Sequence, residues 1–144
     1  MPPRKSLWYK RDGTPFTYEG PDLGPGWVAM MHEVERHLRD PEYKRVGLDV
    51  LDNGLEVSTV WLGLDHRYTP GRPLIFETMI FVPCHKEFTF AGRTHIFKQE
   101  EFGEMARYST LEEAQRGHKF FVKKYKLYRS VEQVLKGPSV DKSS

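Results

Sequence analysis

VSTVWLGLDHRYTPGRPLIFETMIF, residues 57–81, holds two apolar runs around a short loop carrying Asp65, His66, Arg67 and Tyr68. The runs are rich in β-branched and aromatic side chains, which suit a pleated, half-buried surface, and Thr69, Pro70, Gly71 and Pro73 break regular structure between them. The first run places Val60, Trp61 and Leu62 side by side, so large apolar groups fall on both faces; this predicts a central strand covered on both sides. The second, residues 74–82, carries one isolated acid, Glu77, on the face shared with Ile75, Met79 and Phe81.

Upstream, residues 46–51 and 55–64 flank Asp52, Asn53 and Gly54, the chemistry of a hairpin turn. Centring that turn on Asn53 sets Val57 opposite Asp49 and Thr59 opposite Gly47. Trp27, Met30, Met31, Val34 and Leu38 have the spacing of a helix that buries one face, and Pro41 ends it near Asp40. Before it, residues 7–10 and 14–18 flank Arg11, Asp12 and Gly13 as a small hairpin with Pro15 at an edge, and residues 20–26 are a linker by composition. Downstream, residues 88–90 and 94–97 are the arms of an excursion with Gly92 at its tip, residues 98–103 are polar and acidic, and residues 105–108 return as a strand. Ser109 or Thr110 then caps a helix over residues 111–127, with Glu112 and Glu113 in its first turn and Leu111, Ala114, His118, Phe121, Val122 and Tyr125 facing inward as a lid. The expected fold is α+β: an antiparallel β-meander of about five strands with two packed helices, one domain over residues 1–136 and a flexible tail over 137–144.

Composition sets bounds on function. At 144 residues one core is expected, and 22 bases against 20 acids leave a surplus too small to argue for nucleic acid from totals. The lone Cys84 cannot close an internal disulfide, no secretory apolar run follows the basic N-terminus, and no stretch approaches a bilayer span, so a cytoplasmic protein without a membrane role is expected. Phosphate loops (GxxxxGK[ST]), GxGxxG turns, HExxH and GxSxG are all missing, which makes standard nucleotide hydrolases, zincins and serine hydrolases poor matches.

The segments VSTVWLGLDH (57–66), PLIFETMIF (73–81) and RYSTLEEAQRGH (107–118), supported by WYKRDGTPF (8–16) and PEYKRVG (41–47), resemble a family of small uncharacterised proteins of actinobacterial phages and prophages. The resemblance covers about half the chain. It implies a phage or mobile-element origin, and hence the cytoplasm of a host cell, but brings no catalytic residues. The chain departs from the family pattern between Val82 and Met105, where a longer excursion replaces a glycine-rich connection.

Several groups are candidates for chemistry. Glu77 needs a partner if its face is buried: Arg107 across the strands or a hydrogen bond from Thr59 on the structural reading, a ligand or metal on the functional one. Asp65 and His66 lie in a loop at the end of a rigid strand, where an acid beside a histidine suits general-base or ligand chemistry, while Asp65 equally suits capping its own turn. Arg67 and Arg72 make that loop locally cationic. Cys84, His85 and His95 invite a zinc site, but adjacent strand residues point to opposite faces and no CxxC supports it; PCHKE also fails the deaminase pattern, since Glu87 stands where the second cysteine belongs. His118, on the apolar stripe of the second helix, is expected as a hydrogen-bonded core histidine. Arg116, Lys119, Lys123 and Lys126 share a surface of that helix, either as a solvated face or as a strip for phosphates.

The leading expectation is a non-catalytic accessory binding protein, with no cofactor or metal, whose partner is nucleic acid, a host protein or a small anionic ligand. The alternatives are a metal-dependent phosphodiesterase or nucleotide-processing enzyme built on Asp65, His66 and Glu77, and a virion or assembly component that would show an exposed sheet edge or self-association.

Overall fold

The computed structural model describes residues 2–67 and 69–128; the side chains of 83–86, 88 and 95–103 lie outside that description, as does the expected tail. The elements run β1 (Arg4–Tyr9), β2 (Pro15–Tyr18), α1 (Pro25–Leu38), α2 (Pro41–Lys44), β3 (Arg45–Val50), β4 (Glu56–Trp61), β5 (Phe76–Phe90), β6 (Arg93–Tyr108) and α3 (Leu111–Tyr125). Every strand pair is antiparallel: β1 and β2 form a two-stranded sheet, and β3-β4-β5-β6 form a four-stranded meander. The chain is α+β, as its sequence predicts, with the N-terminal hairpin as a sheet of its own.

The β3–β4 register has Val57 opposite Asp49 and Thr59 opposite Gly47, the pairing that a turn centred on Asn53 demands. Asn53 then does more than turn the chain. Its carboxamide oxygen accepts from Leu55 N at 3.0 Å, and its Nδ2 donates to the Tyr125 and Tyr128 carbonyls at 2.9 and 2.7 Å, satisfying acceptors at the end of α3. At the other end, Thr110 accepts from the Glu113 backbone N–H at 3.1 Å, so α3 is capped at both termini.

α3 covers one face of the meander. Ala114, His118, Phe121 and Tyr125 are its buried residues, and Phe121 and Tyr125 pack with Leu55, Val57, Ile80 and Val82. The second cluster sits at the opposite end of the sheet, where Phe16 of β2 and Met30 and Val34 of α1 meet Trp61, Ile75 and Phe76. The N-terminal hairpin is stitched there by Tyr9 N to Gly63 O at 2.8 Å, Asp65 N to Leu7 O at 3.0 Å and Trp61 Nε1 to Tyr9 O at 2.9 Å.

Three expectations are corrected. β4 is central but covered on one face only: Val57, Thr59 and Trp61 are buried, whereas Glu56, Ser58 and Val60 are partly open, because α1 packs at the sheet end instead of beneath it. The separate strands and arms expected between residues 74 and 108 are two long strands, β5 and β6, joined at Ala91 and Gly92 with φ of 52° and 75°, the left-handed pair that a two-residue hairpin turn needs. Irregularities at Met79/Ile80 and Pro83/Lys86 absorb the proline and the polar stretch without ending the ladder. There are also three helices among the described residues. Asp40 accepts from Glu42 N and Tyr43 N, so Pro41, which cannot continue α1, opens α2.

Two glycines record how closely α3 approaches the sheet. A Cβ on Gly117 would collide with the Tyr108 ring, and one on Gly47 would lie 2.7 Å from His118 Nε2. Ala normally exceeds Gly in a helix interior by about 1 kcal/mol. Gly117→Ala is nevertheless expected to destabilise by about 1–3 kcal/mol, since the Tyr108 ring must shift against packed neighbours; a urea melt showing stabilisation would contradict this packing.

Candidate functional site

The loop of Asp65 to Arg72 is built from internal bonds. Asp65 Oδ1 accepts from Arg67 N and Leu74 N, each at 3.0 Å, and Oδ2 lies 2.7 Å from Arg67 Nε. The Asp65 side chain is only 4% exposed. Its oxygens are thus committed to holding the turn shut, the capping role its residue type suits. His66 is half-buried, with its N–H on Leu74 O at 3.0 Å, and Tyr68 lies outside the described residues. Arg72 grips Glu113 through both terminal guanidinium nitrogens at 2.8 and 3.1 Å, clamping the loop to the first turn of α3. That guanidinium beside it, together with the Thr110 hydroxyl, holds the Glu113 carboxyl below its ordinary range. The two loop arginines each already have a carboxylate partner.

Glu77 lies opposite Arg107 in the β5–β6 register, and Arg107 Nε donates to Glu77 Oε2 at 2.9 Å. Only 8% of Glu77 is exposed, so this partner compensates a carboxylate that water barely reaches. Thr59, the other partner considered, is on the α3 face and belongs to a different set of bonds.

That set is a chain across three strands and a helix. Thr78 Oγ1 and Thr59 Oγ1 are 2.6 Å apart, Thr59 Oγ1 lies 2.7 Å from His118 Nδ1, and His118 Nε2 lies 2.6 Å from Asp49 Oδ2. One consistent proton order has His118 donating to Asp49 and accepting from Thr59, which accepts from Thr78. The order of groups matches a hydroxyl–imidazole–carboxylate relay, yet Thr59 and Thr78 are both wholly buried. A nucleophile must touch its substrate. The arrangement therefore ties α3 to the sheet, and His118 is the hydrogen-bonded core histidine its position on the stripe predicts.

At the other end of α3, Lys124 Nζ donates to both Glu104 oxygens at 2.8 Å, and the Tyr125 hydroxyl donates to the same carboxylate. Burial alone raises the Glu104 carboxyl, but these donors outweigh it and hold it below its ordinary range; burial and the neighbouring carboxylate push the Tyr125 hydroxyl up.

The outward face of α3 differs in kind. Arg116, Lys119, Lys123 and Lys126 are exposed, and none has an ion-pair partner among the described residues. Beside them on that face lie Phe120 and Leu127, 60% and 76% exposed. Helical geometry puts all six within about a third of the circumference, directly opposite the buried stripe. The apolar pair was not read from the sequence because the inward positions alone already satisfied a lid helix.

A second basic feature was also missed. Arg39, Lys44 and Arg45 line a groove of about 290 Å3 with Leu38, Leu48 and Val60, on the uncovered side of the sheet. They converge only through the α1–α2 corner, which spacing does not reveal. Glu56 shares this groove, and Arg39 is paired with Glu35, so its cationic character is diluted.

No group of three or more histidines, cysteines or acids suited to a metal occurs among the described residues, and the side chains of Cys84, His85 and His95 lie outside them. No described helix is long and apolar enough to cross a membrane. Comparison with known proteins found no matching family model, curated protein or solved structure.

Two stability experiments check these assignments. Thr59→Val removes the central link and leaves His118 Nδ1 and Thr78 Oγ1 without it, so a loss of about 1–3 kcal/mol is expected in denaturant melts. Arg107→Met strands Glu77 and is expected to cost about 2–4 kcal/mol, most of it recovered by adding Glu77→Gln; a functional Glu77 with no structural debt would show neither effect. The pH dependence follows from Glu104 and Tyr125. A depressed carboxyl contributes stability above its unfolded value that is lost as pH falls through the folded one, and a raised phenol contributes stability that is lost as pH rises past its ordinary range. Glu104→Gln should therefore flatten both limbs of a stability profile against pH; an unchanged acid limb would count against the Lys124 and Tyr125 contacts.

Proposed function

We propose that the protein is a non-catalytic accessory binding protein of phage or prophage type, acting in the host cytoplasm, whose partner is nucleic acid held through its phosphates. The single observation that carries this reading is the outward face of α3: four exposed cations at three- and four-residue spacing, unpaired among the described residues, on a helix whose inner face is fixed. The whole-chain charge of +2 hides this local concentration. Contacts of this kind release counterions and give affinity without sequence choice. Phage origin rests on the resemblance of the segments at 57–66, 73–81 and 107–118 alone.

The enzyme alternative draws less support. Asp65 and Glu77, two of its three groups, are each bonded to an arginine that serves a structural need. A host protein or small anion remains the partner to consider if nucleic acid fails, with the Arg39, Lys44 and Arg45 groove as its natural seat for an anion.

Salt titration tests the reading. The parent should bind nucleic acid with log K falling linearly against log salt, and Lys119→Glu, Lys123→Glu and Lys126→Glu together should abolish most of the affinity and reduce the slope by about 2–3. Binding that ignores salt, or survives the triple change intact, would remove the proposal.

A further inference from the structure

Only one side of β3 is paired. It stands at the end of the order β3-β4-β5-β6, with β4 as its sole strand neighbour among the described residues. The Leu51 N–H donates to the Leu55 carbonyl at 2.8 Å, and inward-bonded residues of an antiparallel ladder recur at every second position. Asp49 and Gly47 therefore bond across to Val57 and Thr59, while Leu48 and Val50 turn their N–H and C=O groups outward. No backbone bond from a turn or loop reaches those outward groups among the described residues. Their side chains are open as well. Gly47 and Asp49 face His118, so Leu48 and Val50 project to the side that α3 does not cover, where they are 42% and 71% exposed.

Natural proteins blunt such an edge with lysine, proline or a bulge. A register shift lies between Arg45 and Gly47, but residues 47–50 pair regularly with β4 and carry neither a proline nor a cation. The charges flanking this stretch select its partner. Lys44 and Arg45 precede it and Asp52 follows it, and none of the three has an ion-pair partner among the described residues. A strand with a cationic start and an acidic end complements an antiparallel copy of itself, because each end then meets its opposite.

We infer that β3 is a dimer interface, pairing antiparallel with β3 of a second copy about a two-fold axis at Leu48. A two-fold pairing that joins outward groups to outward groups can centre on Leu48, Asp49 or Val50. Centring on Asp49 sets two carboxylates directly opposite each other, which is destabilising. Centring on Val50 leaves Lys44 and Arg45 beyond the turn of the other copy. Centring on Leu48 sets Leu48 against its own copy, Asp49 against Gly47, and Lys44 and Arg45 beside Asp52 at both ends. The axis stands perpendicular to the sheet, so four strands from each copy form one continuous sheet with both α3 helices on the same side. Where the nucleic-acid reading holds, two basic faces then engage one phosphate chain; the pairing itself does not rest on that reading. β3 spans only about 20 Å, which makes the interface one of the weak, exchanging kind.

Sedimentation velocity of the full chain, without nucleic acid, over about two decades of micromolar concentration tests the pairing. The parent should pass from one copy to two and stop there, because an edge paired about a two-fold axis consumes itself. Leu48→Lys puts a solvated cation on the edge and should weaken the pair at least about tenfold while keeping the circular-dichroism spectrum of the parent. Arg45→Glu and Asp52→Lys should each weaken it about 3- to 30-fold, and the two together should recover most of the loss. Within one chain these residues stand at opposite ends of β3, so recovery reports a contact between copies. Amide exchange should slow at Leu48 and Val50 as concentration rises, and the slowing should vanish in Leu48→Lys. A parent that stays single across the range, or that pairs with those two amides unprotected, overturns the inference. Species that grow beyond two copies, or a double variant without recovery, overturn it as well.

Discussion

The bonds from Thr78 through Thr59 and His118 to Asp49 fix the rotation of α3 about its own axis, and the basic outward face of that helix follows from the rotation. Thr78, Thr59 and His118 are buried between helix and sheet, where each is costly unless it finds its neighbour, and the half-exposed Asp49 ends the chain; a helix turned out of this register would lose these bonds. Gly47 and Gly117 enforce the same register sterically, the first under the imidazole and the second against the Tyr108 ring. With Asn53 closing one end of α3 and Thr110 the other, the helix has little freedom to turn its basic face inward.

Placing the lid on one side leaves the other side of the meander without a layer, and this asymmetry is as consequential as the lid itself. α1 is engaged at the sheet end with the N-terminal hairpin and the Trp61 and Phe76 cluster, so it cannot cover the second face. Leu48, Val50 and Met105 are exposed there, and the backbone of β5 and β6 continues as a paired ladder beyond the end of β4. The cross-strand pair of Glu77 with Arg107 belongs to this side. Its charge is neutralised within the sheet, whereas the four cations of the outward face of α3 have no ion-pair partner among the described residues.

Local chemistry in the sequence specified what local chemistry can specify. Asp52, Asn53 and Gly54 set the β3–β4 register to the residue, the α3 stripe named its buried residues, and Ser109 or Thr110 before Glu112 and Glu113 marked its start, which the structure places at Thr110. The Glu77 and Arg107 pairing was legible because one isolated acid and one isolated base sat at matching positions on neighbouring strands. Contacts that join distant segments were not legible: nothing about Asn53 announces a role at the end of α3, and Asp49 gives no sign of meeting His118. The length of β5 and β6 was hidden for another reason. Bulges let a ladder pass residues that break the alternating pattern, so Pro83 and the acidic stretch 98–103 read as interruptions where the backbone continues in strand. β4 misled for a third reason: Val60 and Leu62 beside Trp61 looked like a doubly covered strand, although the layer they anticipated is not supplied by α1.

The most direct test is a map of backbone amide shifts during titration with a single-stranded oligonucleotide. The account predicts saturable shifts along the outward positions of α3 from Arg116 to Lys126, with the loop of Asp65 to Arg72 unmoved. Shifts centred on Asp65 and His66, or no saturable shifts at all, would contradict it.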